Sequence, residues 1–257
     1  MISYIFDGSF SGLLCCIFRV YEFKDKQVKV VAANQYQPQI FDESISISSD
    51  EQRAQRVWKR LCEKISASSK RNFYLCYLSE QAVAFQALFN FARYVFDNQK
   101  AVDKNYGHAD VLTVSQIAKN VSREKHRMDA FVRFKKTAEG IFFAVVNPDF
   151  NVLPVIQSHF KNRYADQCWL IYDDIRKYGI YYDLTAIHDV TLNAEQTGIL
   201  KEPCMPTSIT LDVQEALYDQ LWKDYFKSAN IVERKNIKLH LQHVPRRYWH
   251  YLNEKSI

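Results

Sequence analysis

The sequence predicts an α+β fold: an antiparallel β-β-α-β-β sheet unit, packed with several helices and followed by a helical C-terminal segment. Three observations carry this expectation. Residues 130–184 contain short apolar runs, bounded by turn residues, on either side of one helical stretch. Longer segments between 50 and 125 carry apolar residues at helical spacing. Only 6 Gly and 6 Pro occur in 257 residues, so no low-complexity linker is expected.

Taken in order, Ser3 to Phe6 reads as a strand that ends in the turn Asp7-Gly8-Ser9. Ser9 is the expected N-cap of a helix over Phe10 to Phe23, because its hydroxyl can accept from the first free N–H groups. Val28 to Ala33 and Phe41 to Ile47 read as strands. Ser49 is the expected cap of a helix over about Asp50 to Ser66, with Asp50 and Glu51 at its positive end. Asn72 to Leu78 fits either a strand or a helix, and an amphipathic helix runs from Ser79 to about Asp97. Asp110 to Asn120 reads as one helix, and Ser122 starts another. Ala130 to Lys135 and Ile141 to Val146 form a hairpin turned at Thr137–Gly140, followed by a helix from Asn151 to Tyr164. Cys168 to Tyr172 and Gly179 to Leu184 form a second hairpin. A loop at Glu202 to Pro206 precedes helices over Asp212 to Ser228 and Ile231 to Gln242, and Pro245 ends the pattern. The domains expected are an α+β core over 1–205, with a helical insertion at about 50–125, and a basic helical segment over 206–257 packed on it.

Composition removes several classes. No apolar run approaches the roughly 20 residues of a membrane helix. The start, MISYIFDGSF, has an early acid and no basic stretch, so it is not expected to act as a signal peptide. The 6 cysteines are scattered, with no C-x-x-C, and read as reduced thiols of a cytoplasmic protein. No GxGxxG, Walker loop or G-x-S-x-G motif occurs. His240, His243 and His250 lack a carboxylate or cysteine to complete a metal shell. Neither a metal nor a cofactor is therefore expected.

Charge is more telling by place than by total. The net charge is +5. Lys119, Arg123, Lys125, Arg127, Arg133, Lys135 and Lys136 cluster against only Glu124 and Asp129, while Arg234, Lys235, Lys238, Arg246 and Arg247 have no acid among them. Both clusters interleave cations with imidazole and large aromatics, which suits phosphates and stacked bases. Solvated helix faces would look the same. The two segments are expected on one side of the molecule.

Several stretches resemble a known family. Tyr4-x-x-Asp7-Gly8-Ser9-Phe10-x-Gly12-Leu13-Leu14 is similar to the opening of the bacterial probable DNA metabolism proteins, which carry a domain of unknown function. His126-Arg127-Met128-x-Ala130-Phe131-Val132-Arg133-Phe134, Leu153-Pro154-x4-His159-Phe160-x-x-Arg163-Tyr164 and Trp169-x-Ile171-Tyr172-Asp173 continue the likeness. So do Gly179-x-Tyr181-Tyr182, Glu233-Arg234-x-Asn236 and Pro245-x-Arg247-Tyr248-Trp249. The resemblance implies pairing with a radical-SAM protein thought to modify or repair DNA. In some relatives the domain is joined to a uracil-DNA-glycosylase-like domain, which is not read in this sequence. The family supplies no reaction to carry over.

The leading expectation is a nucleic-acid-binding accessory protein in DNA repair or modification, acting with that radical-SAM partner on single-stranded or damaged DNA. Arg127, Arg133, Arg163, Arg234, Lys238, Arg246 and Arg247 are the candidate phosphate contacts, with Tyr248 and Trp249 as stacking rings. An internal pairing of Arg133 with Asp173 or Asp149, and burial of Tyr248 and Trp249 as anchors, stand beside that reading. A second expectation is a nuclease-like or glycosylase-like enzyme around His126, Arg133, His159 and Asp173, where imidazole and carboxylate could exchange protons. The bland counterpart is a half-core histidine and a turn aspartate. A third is a protein-interaction subunit without DNA contact.

Overall fold

The computed structural model describes residues 2–38, 43–191, 212, 214, 215, 220, 221, 241 and 244–252. They belong to two compact units, Met1–Arg123 and Glu124–Ile257. The fold class is α+β, as the sequence predicts. The C-terminal helices expected over 212–228 and 231–242 lie outside the described residues, apart from isolated positions.

The first unit is built on a parallel sheet. β1 (Ile2–Phe6) leads into α1 (Phe10–Phe23), where Ser9 caps the helix by accepting from Gly12 N at 2.9 Å. Lys24 ends it in the left-handed conformation, at φ 58°. The chain returns as β2 (Val28–Ala32), parallel to β1, and β3 (Glu43–Ile47) adds in parallel on the other side, giving the order β2-β1-β3. Parallel strands need cover. α1 packs on all three strands, and α4 (Ala82–Asp97) packs on β2. Gln86 of α4 also binds β2 as a strand would: its Oε1 accepts from Val30 N at 2.8 Å and its Nε2 donates to Val28 O at 3.3 Å.

α2 (Glu51–Lys64) is capped by Asp50, not by Ser49. The Asp50 carboxylate accepts from Arg53 N at 3.0 Å, while the Ser49 hydroxyl donates to Asp7 at 2.7 Å instead. The ambiguous 72–78 stretch is the end of α3 (Ala67–Tyr77), which buries Phe73 and Cys76 one turn apart.

Buried Asp103 accepts from Ser66 N at 3.0 Å and from the Ser66 and Ser69 hydroxyls, each at 2.7 Å. Burial works to raise its carboxyl, but those hydrogen bonds outweigh it and hold the group below its ordinary value. Asp7 is held low in the same way by Ser9 and Ser49, again against burial. A carboxyl depressed in the fold adds stability above its unfolded value and loses it as pH falls through the folded value. The first unit is therefore expected to weaken below about pH 4. Urea melts of Asp103→Asn should show a shallower acid loss than the parent. Parallel losses would remove Asp103 as a cause.

α5 (Ala109–Phe131) is one unbroken helix where the sequence suggests two. Buried Val111, Val114, Ala118, Val121, Glu124 and Met128 recur at steps of three and four, and neither Gly nor Pro interrupts them. The unit boundary follows Arg123, within this helix. Because α5 runs on to Phe131, the strand expected over 130–135 shrinks to β4 (Lys135–Lys136). Arg133 is therefore not a strand residue. Its Nη1 donates to Ala130 O at 2.7 Å and Val132 O at 3.3 Å, satisfying carbonyls left free where the helix ends.

The second unit holds a five-stranded sheet in the order β4-β5-β6-β7-β8. β4 turns through Gly140 (φ 84°) into β5 (Phe142–Val146). α6 (Leu153–Arg163) crosses over to β6 (Trp169–Asp173), which lies parallel to β5. This pair corrects the all-antiparallel expectation: a helix between two strands returns the chain to the same end of the sheet. β7 (Tyr178–Tyr182) and the unforeseen β8 (Ile187–Val190) complete the sheet as antiparallel neighbours. Gly179 is required here, since a Cβ on it would stand 2.8 Å from Ile171 O in the adjacent strand. Buried Trp169 packs among the rings of Phe134, Phe160 and Tyr182.

Candidate functional site

The second unit concentrates charge where β5 and β6 end. After Val146 the chain turns through Asn147-Pro148-Asp149, and after Asp173 it turns through 174–177. The last turns of α5 and a 3-10 turn at Arg246–Tyr251 meet the first of these loops. At the centre is Glu124, 1% exposed. Its Oε1 accepts from Asp149 N at 3.2 Å. Its Oε2 accepts from the Tyr248 hydroxyl and from Arg247 Nη2, the latter at 2.8 Å, with Arg127 Nη1 at 3.9 Å. A buried carboxylate is tolerable only when paired and hydrogen-bonded in this way.

The turn RRYWHY faces two ways. Tyr248, 1% exposed, packs on Phe131 and Tyr251, with the Arg247 guanidinium 4.7 Å and the Arg127 guanidinium 5.6 Å from its centroid. Burial, then the hydrogen bond to Glu124, pushes its hydroxyl pKa up. Asn147 N donates to the Tyr251 hydroxyl, which ties the turn to the loop. Arg246 is exposed, and its guanidinium lies 5.9 Å from the centroid of half-buried Trp249. Trp249 Nε1 donates to Val244 O at 3.0 Å. Arg247 belongs to both sides: Nη1 reaches the Asp149 carboxylate, in a pair that is 44% and 48% exposed. A pair so open to water contributes only about 0–1 kcal/mol.

Asp173 is 0% exposed. It accepts from Ile175 N at 2.9 Å, Arg176 N at 3.1 Å and Arg176 Nη1 at 2.9 Å. Burial pushes its carboxyl up, while the hydrogen bonds and charge of Arg176 pull the other way. Arg176 also donates to Pro148 O at 3.1 Å, so this ion pair braces the two loops.

Set against the sequence expectations, the site differs in membership. Arg127 and Arg247 do converge, but on the Tyr248 ring and Glu124. Tyr248 is too buried to offer a face to a base, so its role is anchoring. Asp149 pairs with Arg247 and Asp173 with Arg176, not with Arg133. His126 is exposed on α5, and His159 is half-buried against Phe160, its Nε2 without a hydrogen-bond partner among the described residues. Among the described residues no hydrogen bond or ion pair joins His126, His159 and Asp173. Arg163 is exposed at the end of α6, over the Tyr164 ring at 5.8 Å. Arg234 and Lys238 lie outside the described residues. Glu124 and Asp149 were missed as site members. The available signal was Glu124 itself, one of two acids in a basic run and the one in register with the buried stripe of α5.

The second unit is thus an α+β domain in which a buried acid, Glu124, clasps a basic aromatic turn. The chain belongs to the family described as a domain of unknown function, DUF4130, whose model matches residues 82–254. The matched span takes in α4 and all the site residues, and it excludes the Tyr4–Leu14 stretch. No curated protein and no solved structure matches the chain. Among the described residues no helix is long and apolar enough to cross a membrane, and no cluster of His, Cys, Asp or Glu could hold a metal.

Proposed function

We propose that this protein is a nucleic-acid-binding accessory subunit in DNA repair or modification, working with a radical-SAM partner. The observation that supports it best is the two-sided RRYW turn. Tyr248 and Tyr251 hold the turn from within, while exposed Arg246 sets its guanidinium beside the half-buried indole of Trp249. A cation beside a flat ring suits a phosphate next to an unpaired base. Rigid support lowers the entropy lost on binding. The partner and the DNA role come from the family resemblance, and single-stranded or damaged DNA is the substrate that leaves bases open to stacking.

The enzyme reading has less support. Its carboxylate, Asp173, is enclosed and occupied by Arg176, so it is poorly placed to meet a substrate.

Fluorescence anisotropy with labelled single and double strands tests the proposal. Arg246→Ala should weaken binding across all sequences and reduce the salt slope by about 1. Its stability should stay within about 0.5 kcal/mol of the parent. Trp249→Ala should lower single-strand affinity by about 1–3 kcal/mol. Absence of binding at low salt, or binding indifferent to salt, counts against the reading.

A further inference from the structure

We infer that Asp149 occupies, in the free protein, the place on Arg247 that a nucleic-acid phosphate takes in the complex. The inference rests on the nucleic-acid reading above and adds its regulation: an internal carboxylate that competes with the ligand. The two terminal nitrogens of Arg247 sit in different surroundings. Nη2 points inward to Glu124 and the Tyr248 hydroxyl, both closed to solvent. Nη1 points outward to Asp149, in the open part of the pair. The inward half fixes the guanidinium, and the outward half is available for exchange.

Asp149 is built to yield. Its backbone is held independently of its side chain: its N–H donates to Glu124 at 3.2 Å and its carbonyl accepts from Arg176 Nη2 at 3.3 Å. The carboxylate can swing away while the loop stays in place. A phosphodiester offers the same charge and the same acceptor oxygens, and guanidinium forks onto either. Arg246 and Trp249, on the same turn, add a second cation and a ring that a lone carboxylate cannot use. A strand therefore outcompetes Asp149 by contacts beyond Arg247, whereas a small isolated anion does not.

The experiment is a titration of a labelled single-stranded oligonucleotide with the full chain. It compares the parent, Asp149→Asn, and Glu139→Gln as a control at an exposed hairpin acid. Asp149→Asn keeps the backbone hydrogen bonds, and its unfolding free energy should fall by no more than about 1 kcal/mol. It should bind roughly three- to fivefold more tightly, the gain from removing one exposed competing charge. Glu139→Gln should change affinity by less than about twofold, since a remote exposed charge is screened. Equal tightening in both variants would mean a general charge effect and would overturn the inference. So would a parent that binds and an Asp149→Asn that binds no better. If none of the three binds, the nucleic-acid reading itself fails and the competition falls with it.

Discussion

Truncating Tyr248 to alanine is expected to destabilise the second unit by roughly 3–5 kcal/mol, the cost of removing a buried aromatic ring. The ring fills the space between Phe131 of α5, Tyr251 and two guanidiniums. Its removal leaves a cavity bordered by charge. It also strips Glu124 of its hydroxyl donor. Tyr248→Phe separates the two effects. It keeps the ring and should cost about 1–3 kcal/mol, for a buried acceptor that loses one partner. Urea unfolding of the three proteins should give the order parent, phenylalanine, alanine. A tyrosine that stacks on bases from the surface would move stability by no more than about 0.5 kcal/mol. An alanine variant as stable as the parent would therefore restore Tyr248 to the binding surface and remove it from the core.

The fold was legible where one residue type dominates a local choice. Ser9 was readable as a cap because its hydroxyl has a ready partner one turn on, at Gly12 N. The α6 helix and the β6–β7 hairpin were readable from periodicity and turn residues. The break inside α5 was misjudged because Asn120 and Ser122 are common at helix starts, yet the buried stripe from Val111 to Met128 carries the helix through. Local preference yields to packing there. The parallel pairing of β5 and β6 was available from the helix between them. The charged site was only half legible. A run such as Arg123 to Arg133 shows which cations are near in sequence, but not which carboxylate a loop brings in from 25 or 123 residues away, as Asp149 and Arg247 come to Glu124. Spacing favours exposed readings of arginine, and only the fold reveals that Arg127 and the inner half of Arg247 are spent on a buried acid.

Replacing Glu124 by alanine should destabilise the same unit by about 3 kcal/mol, the lower end for breaking a buried ion pair. The lower end applies because the cations are not trapped. Arg247 is nearly half exposed and can be rehydrated when its partner goes. The larger share of the loss comes from the Tyr248 hydroxyl and the Asp149 N–H, which remain buried or part-buried with no carboxylate to receive them, each worth about 1–3 kcal/mol. Glu124→Gln should fall between, since its one carbonyl oxygen still accepts while its amide faces other donors. The pairing itself is isolated by a double-mutant cycle with Arg247→Ala. Side chains in direct contact couple by about 0.5–3 kcal/mol, and independent ones add to within about 0.3–0.5 kcal/mol. Additive losses would mean that Glu124 and Arg247 stabilise the unit separately. The C-terminal turn would then be held by the tyrosines alone, and Arg247 would be as free for a ligand as Arg246. Strong coupling would fix the inner half of Arg247 as part of the fold, and leave its outer half as the part of the guanidinium that can serve a second partner.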